Sequence, residues 1–112
     1  MSLDVSLVVI QPTTVFTQNI THNLGPMAAQ VELGTTTLYN LLWRPEELNI
    51  QYVYQLVQPL RQANDLLLAN PEYFEQWNST NGWGNYQNLC DFVREYLRAC
   101  LEYPQAEVRA CR

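Results

Sequence analysis

A chain of 112 residues, 47% of them hydrophobic, is one domain's worth of sequence, able to build a core without disulfide or metal staples; extensive disorder is excluded. The net charge is −5 with no Lys at all, and the six basic residues (Arg44, Arg61, Arg94, Arg98, Arg109 and Arg112) form no cluster able to neutralise several phosphates. Nucleic acid and anionic membrane are therefore disfavoured as partners, and the apolar run LVVI near the start is too short to span a bilayer.

In chain order, DVSLVVI is β-branched and apolar, and Gln11-Pro12-Thr13-Thr14 reads as a turn. VFTQNIT follows, with Phe16, Gln18 and Ile20 alternating against Val15, Thr17, Asn19 and Thr21, so a β-hairpin is expected. The period then changes. Gly25-Pro26 fits a helix start with Asn23 or Gly25 as cap, and the helix is expected to run from Pro26 to about Leu33, where Gly34 stops it. Thr35 or Thr36 is expected to cap a second short helix through TLYNLLW, ended by Pro45.

From Asn49 onward Val53, Leu56, Val57, Leu60, Leu67 and Leu68 keep helical spacing, with Ala63 and Asn64 in the same stripe. Pro59 falls inside that pattern and should kink the helix or mark its first turn. Asn70-Pro71 closes the element, PEYFEQW restarts a short helix, and Asn78–Gly84 is the least regular stretch of the chain. The clearest helix follows: Tyr86, Leu89, Cys90, Val93, Leu97, Cys100 and Leu101 on one face, and Asp91, Arg94, Glu95, Arg98 and Glu102 on the other. Arg98 and Glu102 are spaced for an i, i+4 pair. Pro104 ends the helix, and AEVRAC reads as a last strand with Ala106, Val108 and Ala110 on one face. Strands at both ends with helices between predict an α+β fold: a two- or three-stranded sheet from the chain ends against four to five helices, residues 1–112 forming a single domain. The last strand is expected to pair with Val15–Thr21 or with the first strand.

Cys90, Cys100 and Cys111 form no CxxC and no metal set with the single His, and Cys90 and Cys100 lie about 15 Å apart along one predicted helix. Reduced thiols in a cytoplasmic protein are expected, with no metal and no cofactor. No leader-like segment precedes the sequons at Asn19 and Asn78, so they are expected to be unused.

Three stretches hold the residues that can do chemistry. In NITHNLGPM, His22 suits general-base work near neutral pH or a structural hydrogen bond to a backbone carbonyl at the strand end. Asn19 and Asn23 lie beside it, Asn23 also serving as a helix cap. In WRPEE, Arg44 can clamp a carboxylate or phosphate, and Glu46 and Glu47 can act as acid, base or ligand, or simply be solvated in a first turn. In NGWG, Asn81 and the glycines favour a positive-φ turn that leaves Trp83 free to project, or to tuck the loop onto the core.

NITHNLGPMA, LYNLLWRPEEL and NGWGNYQNLCDFV, with the ending PQAEV, resemble a family of small uncharacterised proteins of bacteria and their phages, from about Val15 onward. The resemblance implies relatives and carries no activity, cofactor or partner. The expectation is a binding module for an unknown protein or small polar ligand, with a composite site of Asn19, His22, Asn23, Arg44, Glu46, Asn81 and Trp83. The alternative is a hydrolase or transferase with His22 as base, Glu46 or Glu47 as acid or metal ligand and Arg44 holding an anionic substrate. Exposed Tyr and Trp also allow a homo-oligomer.

Overall fold

The computed structural model describes residues 2–8 and 14–112, so the expected turn Gln11–Thr14 lies outside the described residues except for Thr14, which opens a strand. Strand β1 (Ser2–Val8) pairs antiparallel with β2 (Thr14–Thr21) on one side and with β3 (Glu107–Cys111) on the other, giving the order β2-β1-β3. The hairpin and the sheet built from the chain ends are as expected, and of the two partners considered for the last strand it takes β1. The register explains the alternation. Leu3, Val5 and Leu7 of β1 stand opposite Ile20, Gln18 and Phe16 of β2, while Val5 and Leu7 also face Ala110 and Val108 of β3. This set forms the inner face, and Ser2, Asp4 and Ser6 with Asn19, Thr17 and Arg109 form the outer one.

Among the described residues five helices pack on the inner face or on one another: α1 (Gly25–Ala28), α2 (Leu38–Trp43), α3 (Tyr54–Ala69), α4 (Pro71–Glu75) and α5 (Tyr86–Glu102). The long pair α3 and α5 pack on each other, and α5 also lies along β2, where Tyr96 stacks on Phe16 with ring centroids 6.4 Å apart. Among the described residues no helix is long and apolar enough to cross a membrane.

Several local expectations are corrected. The helix expected over 26–33 is only Gly25–Ala28, because the chain turns back at once: Leu38 N–H donates to Val31 O and Leu33 N–H to Thr36 O. The cap of α2 is Thr37, whose side chain accepts from Asn40 N–H, rather than Thr35 or Thr36. Helix α3 begins at Tyr54 and runs through Pro59, which is therefore not in its first turn. Two leucines assigned to apolar stripes lie outside: Leu68 is 61% exposed and Leu101 54%. On α5 the buried face is completed instead by Phe92 and Tyr96, which swings the stripe toward β2. Arg98 pairs with Glu95, one turn back, rather than with Glu102.

The thiols sit as the helical spacing implied, Cys90 and Cys100 buried on α5 and Cys111 exposed on β3. Burial pushes Cys100 up to about 12 and drives the fully buried Tyr96 phenol well above its ordinary range. Unfolded, these groups ionise near 9.0 and 10.0, so the stability they carry is complete below that range and is lost as pH rises toward the folded values. The urea midpoint should hold steady from neutral pH to about pH 8.5 and fall progressively beyond about pH 9, with Cys111 alone alkylated before unfolding. A midpoint unchanged to about pH 11 would contradict this burial.

Candidate functional site

Strand β2 ends in a short turn that organises everything around it. Thr21 is still extended, and its hydroxyl accepts the Asn23 N–H at 3.3 Å, capping a single 3₁₀ turn over His22–Leu24. Of the two caps expected for the following helix, Asn23 receives a cap rather than providing one and Gly25 lies inside α1, whose N-cap is Leu24 with no side-chain bond. Leu24 is fully buried, and Gly25 with Pro26 opens α1.

Two glycines let neighbouring segments close on this turn. A Cβ at Gly25 would lie 3.2 Å from Cε1 of Tyr39, so the first turn of α2 rests directly on the Gly25 backbone. A Cβ at Gly84 would lie 3.0 Å from both Leu24 Cγ and Thr21 Cγ2, and Gly84 has φ of +111°. The NITHNLG and NGWG motifs therefore touch through a contact that only glycine allows. His22 turns to the other side. Its ring meets the buried Trp43 edge-on, centroids 6.0 Å apart, and Trp43 stacks on Tyr39 at 5.0 Å.

His22 makes none of the hydrogen bonds expected of it. Among the described residues its ring bonds no backbone carbonyl, its Nε2 is buried without a partner, and no carboxylate approaches within 4.0 Å. The two glutamates of WRPEE are held elsewhere. Glu47 accepts from Arg44 Nη1 at 2.9 Å, and that pairing raises the Arg44 pKa. Glu46 is gripped by Arg112, whose Nη1 reaches Oε1 at 2.7 Å and also donates to the Trp43 carbonyl at 2.7 Å. Arg44 and Glu46 thus do not pair; these bonds tie the C-terminus to the end of α2.

The loop before α5 is locked by its own amides. Asn78 Oδ1 accepts Tyr86 N–H at 2.7 Å, Asn81 Oδ1 accepts Trp83 N–H at 2.9 Å and the Ser79 hydroxyl, and Ser79 N–H donates to Gly84 O at 3.1 Å. Asn85 and Asn88 then cap α5 reciprocally, through a box built from two Asn. Asn81 is consumed inside the loop, and the tuck of Trp83 onto the core does not occur: the indole projects, 71% exposed.

Trp83 flanks a cleft of about 470 Å³ whose other walls are Ser2, Asn19, Thr21 and Asn23. Asn19 Nδ2 donates to Ser2 Oγ at 2.8 Å and to Asp4 Oδ1 at 2.9 Å, which fixes the amide and leaves its carbonyl oxygen without a protein partner among the described residues. Of the seven expected site residues, three (Asn19, Asn23 and Trp83) therefore line one cleft, His22 packs on Trp43 and is not among its walls, Arg44 and Asn81 are occupied in local contacts, and Glu46 is paired with the distant Arg112. Ser2 and Thr21 were missed. Period two places Thr21 with Asn19, but Ser2 joins them only through the cross-strand register, which sequence spacing does not reveal.

Both glycine contacts and the orphaned imidazole nitrogen have measurable consequences. Gly84→Ala should destabilise the fold by about 2–4 kcal/mol, since backbone strain and overpacking act together. Gly82→Ala, at φ +78° with nothing within 4 Å of the added carbon, should lose only about 1–2 kcal/mol in the same urea titration. Equal losses would mean that the loop does not rest on Leu24. His22→Phe keeps the edge contact and removes the unpaired nitrogen, so it should be at least as stable as the parent; a loss above about 1 kcal/mol would show that Nε2 has a partner.

No protein-family model matches the chain, and neither a curated protein nor a solved structure matches it, so the resemblance to small bacterial and phage proteins rests on its motifs alone.

Proposed function

We propose that the chain is a non-enzymatic binding module whose ligand is a small neutral molecule with one apolar face and several hydroxyls, a pyranose ring being the simplest case. One observation carries this reading: an indole 71% exposed, on a loop whose amides are already paired, stands beside a cleft lined by hydroxyls and amides. Large exposed aromatics on locked loops are poor at saving the protein's own free energy and good at meeting a ligand with little entropic loss. The indole would take the C–H face of a sugar ring, and the Asn19 carbonyl, the Asn23 amide and the Thr21 hydroxyl would meet its hydroxyls. The cleft-lining residues carry no charge, which favours a neutral ligand over an anionic one. The acid–base reading receives no such support, because its imidazole and its carboxylates are engaged apart from one another.

The test is an NMR titration with neutral trisaccharides of glucose and of N-acetylglucosamine. At least one should shift the Trp83 indole N–H and the Asn19 side-chain amide at millimolar concentration. Trp83→Ala should abolish the response while changing stability by less than about 0.5 kcal/mol, as an exposed substitution does. Absence of shifts at Trp83 with both sugars, or shifts that survive Trp83→Ala, would reject this reading.

A further inference from the structure

The two edges of the sheet are treated differently. Along β3 the edge is covered: Val108 N–H donates to Gln51 O at 2.9 Å, Val53 N–H to Ala106 O at 2.9 Å, and Tyr52 bridges Glu107. That strand also carries Glu107 and Arg109, charges that discourage a further strand. The opposite edge, β2, runs eight residues as TVFTQNIT without a charge, Pro or Gly, and among the described residues nothing pairs with its outer side. In the middle of this strand sits an anomaly. Gln18 points to the inner, apolar face, and its Oε1 is buried with no hydrogen-bond partner. A groove of about 260 Å³ follows the same edge, between Gln18–Thr21 and the Asn88, Asp91 and Phe92 side of α5.

We propose that β2 is a homodimer interface, pairing antiparallel with β2 of a second copy about a two-fold axis at Gln18, so that one six-stranded sheet runs through both protomers. The register follows from the sequence of the strand. Inner faces stay on the same side only if the two paired residue numbers sum to an even value. A two-fold at Gln18 sets Gln18 opposite Gln18, Phe16 opposite Ile20 and Thr17 opposite Asn19. With the Gln18 side chain turned toward the groove at this edge, each Oε1 accepts the other copy's Nε2–H and is no longer buried unpaired, and an aromatic meets a β-branched residue on the inner face. Moving the axis to Thr17 would instead set Phe16 against Gln18 and leave both amides unpaired. A second copy is also electrostatically acceptable here despite the net charge of −5. On α5 beside this edge, Asp91 pairs with Arg94 and Glu95 with Arg98, so the flanking belt is neutral.

Sedimentation and light scattering of the full chain should give twice the monomer mass at micromolar to millimolar concentration. Gln18→Glu sets two carboxylates face to face, and should weaken the dimer at least about tenfold at pH 7, with recovery at about pH 4 where they protonate. Position is read by cross-linking in a Cys111→Ser background: Gln18→Cys should form an intermolecular disulfide under mild oxidation, and Thr14→Cys should not. A strict monomer at millimolar concentration overturns the proposal. So does a dimer that ignores Gln18→Glu, or one in which Gln18→Cys fails to cross-link while remaining folded by circular dichroism. These outcomes do not depend on whether Trp83 binds a sugar.

Discussion

The close approach of Gly84 to Thr21 and Leu24 is the contact on which the arrangement of the site depends. It joins the end of β2 to the loop before α5, two segments some sixty residues apart in sequence, by laying the bare Gly84 backbone on the side chains of Thr21 and Leu24. A second approach, Tyr39 on Gly25, fixes the same turn against α2. Between them the turn has no room to shift, since interiors packed to crystal-like density respond to small displacements all at once rather than gradually. Leu24, fully buried, anchors it, and everything solvent-facing around it inherits that position: Asn19 and Thr21 from the strand, Asn23 from the turn and Trp83 from the loop.

The same constraint divides the polar residues into those spent on structure and those left over. Asn78, Asn81, Asn85 and Asn88 pair with backbone groups of their own loop and helix start. Arg44 and Arg112 neutralise Glu47 and Glu46, and Arg112 also reaches the Trp43 carbonyl. Exposed ion pairs of this kind contribute little stability singly, about 0–1 kcal/mol each, so their consequence is chiefly placement. Among the groups that remain without such duties are the Trp83 face and the Asn19 carbonyl on the outer side, Gln18 at the open edge, and the His22 Nε2 against Trp43. The two proposals rest on the first three of these.

Much of the fold was legible because hydrophobic period reports which face is buried. The alternation of Phe16, Gln18 and Ile20 identified the inner face of β2, and the stripe on α5 was right at Leu89, Cys90, Val93 and Cys100. Period failed where tertiary contact outweighs it. Phe92 and Tyr96 are buried because β2 lies against that side of α5, and Leu68 and Leu101 are exposed because no element covers them. Caps were misplaced: α2 is capped by Thr37, one residue past the expected Thr35 or Thr36, and the Thr21 hydroxyl caps a turn that precedes α1, since adjacent Thr and Asn residues offer equivalent oxygens and only the turn geometry selects one. The site was half legible. Irregular polar stretches near aromatics marked the correct neighbourhoods, but composition could not show that Asn81 turns inward to its own loop while Trp83 turns out. Nor could it show that His22 faces Trp43 rather than the cleft. Asn81 is set by hydrogen bonds inside its own loop, and His22 by the meeting of the β2 end with α2, neither of which spacing reveals.

The cleft keeps its shape only if the loop around Trp83 is held rather than loose, and backbone and indole ¹⁵N relaxation of Trp83 in the free protein tests that directly. A loop clamped through Gly84 and its internal amides predicts a backbone order parameter of about 0.85 at Trp83, matching the helices. A value below about 0.6 would mean that the loop moves independently of the turn beneath it, and would contradict the claim that this junction positions the cleft.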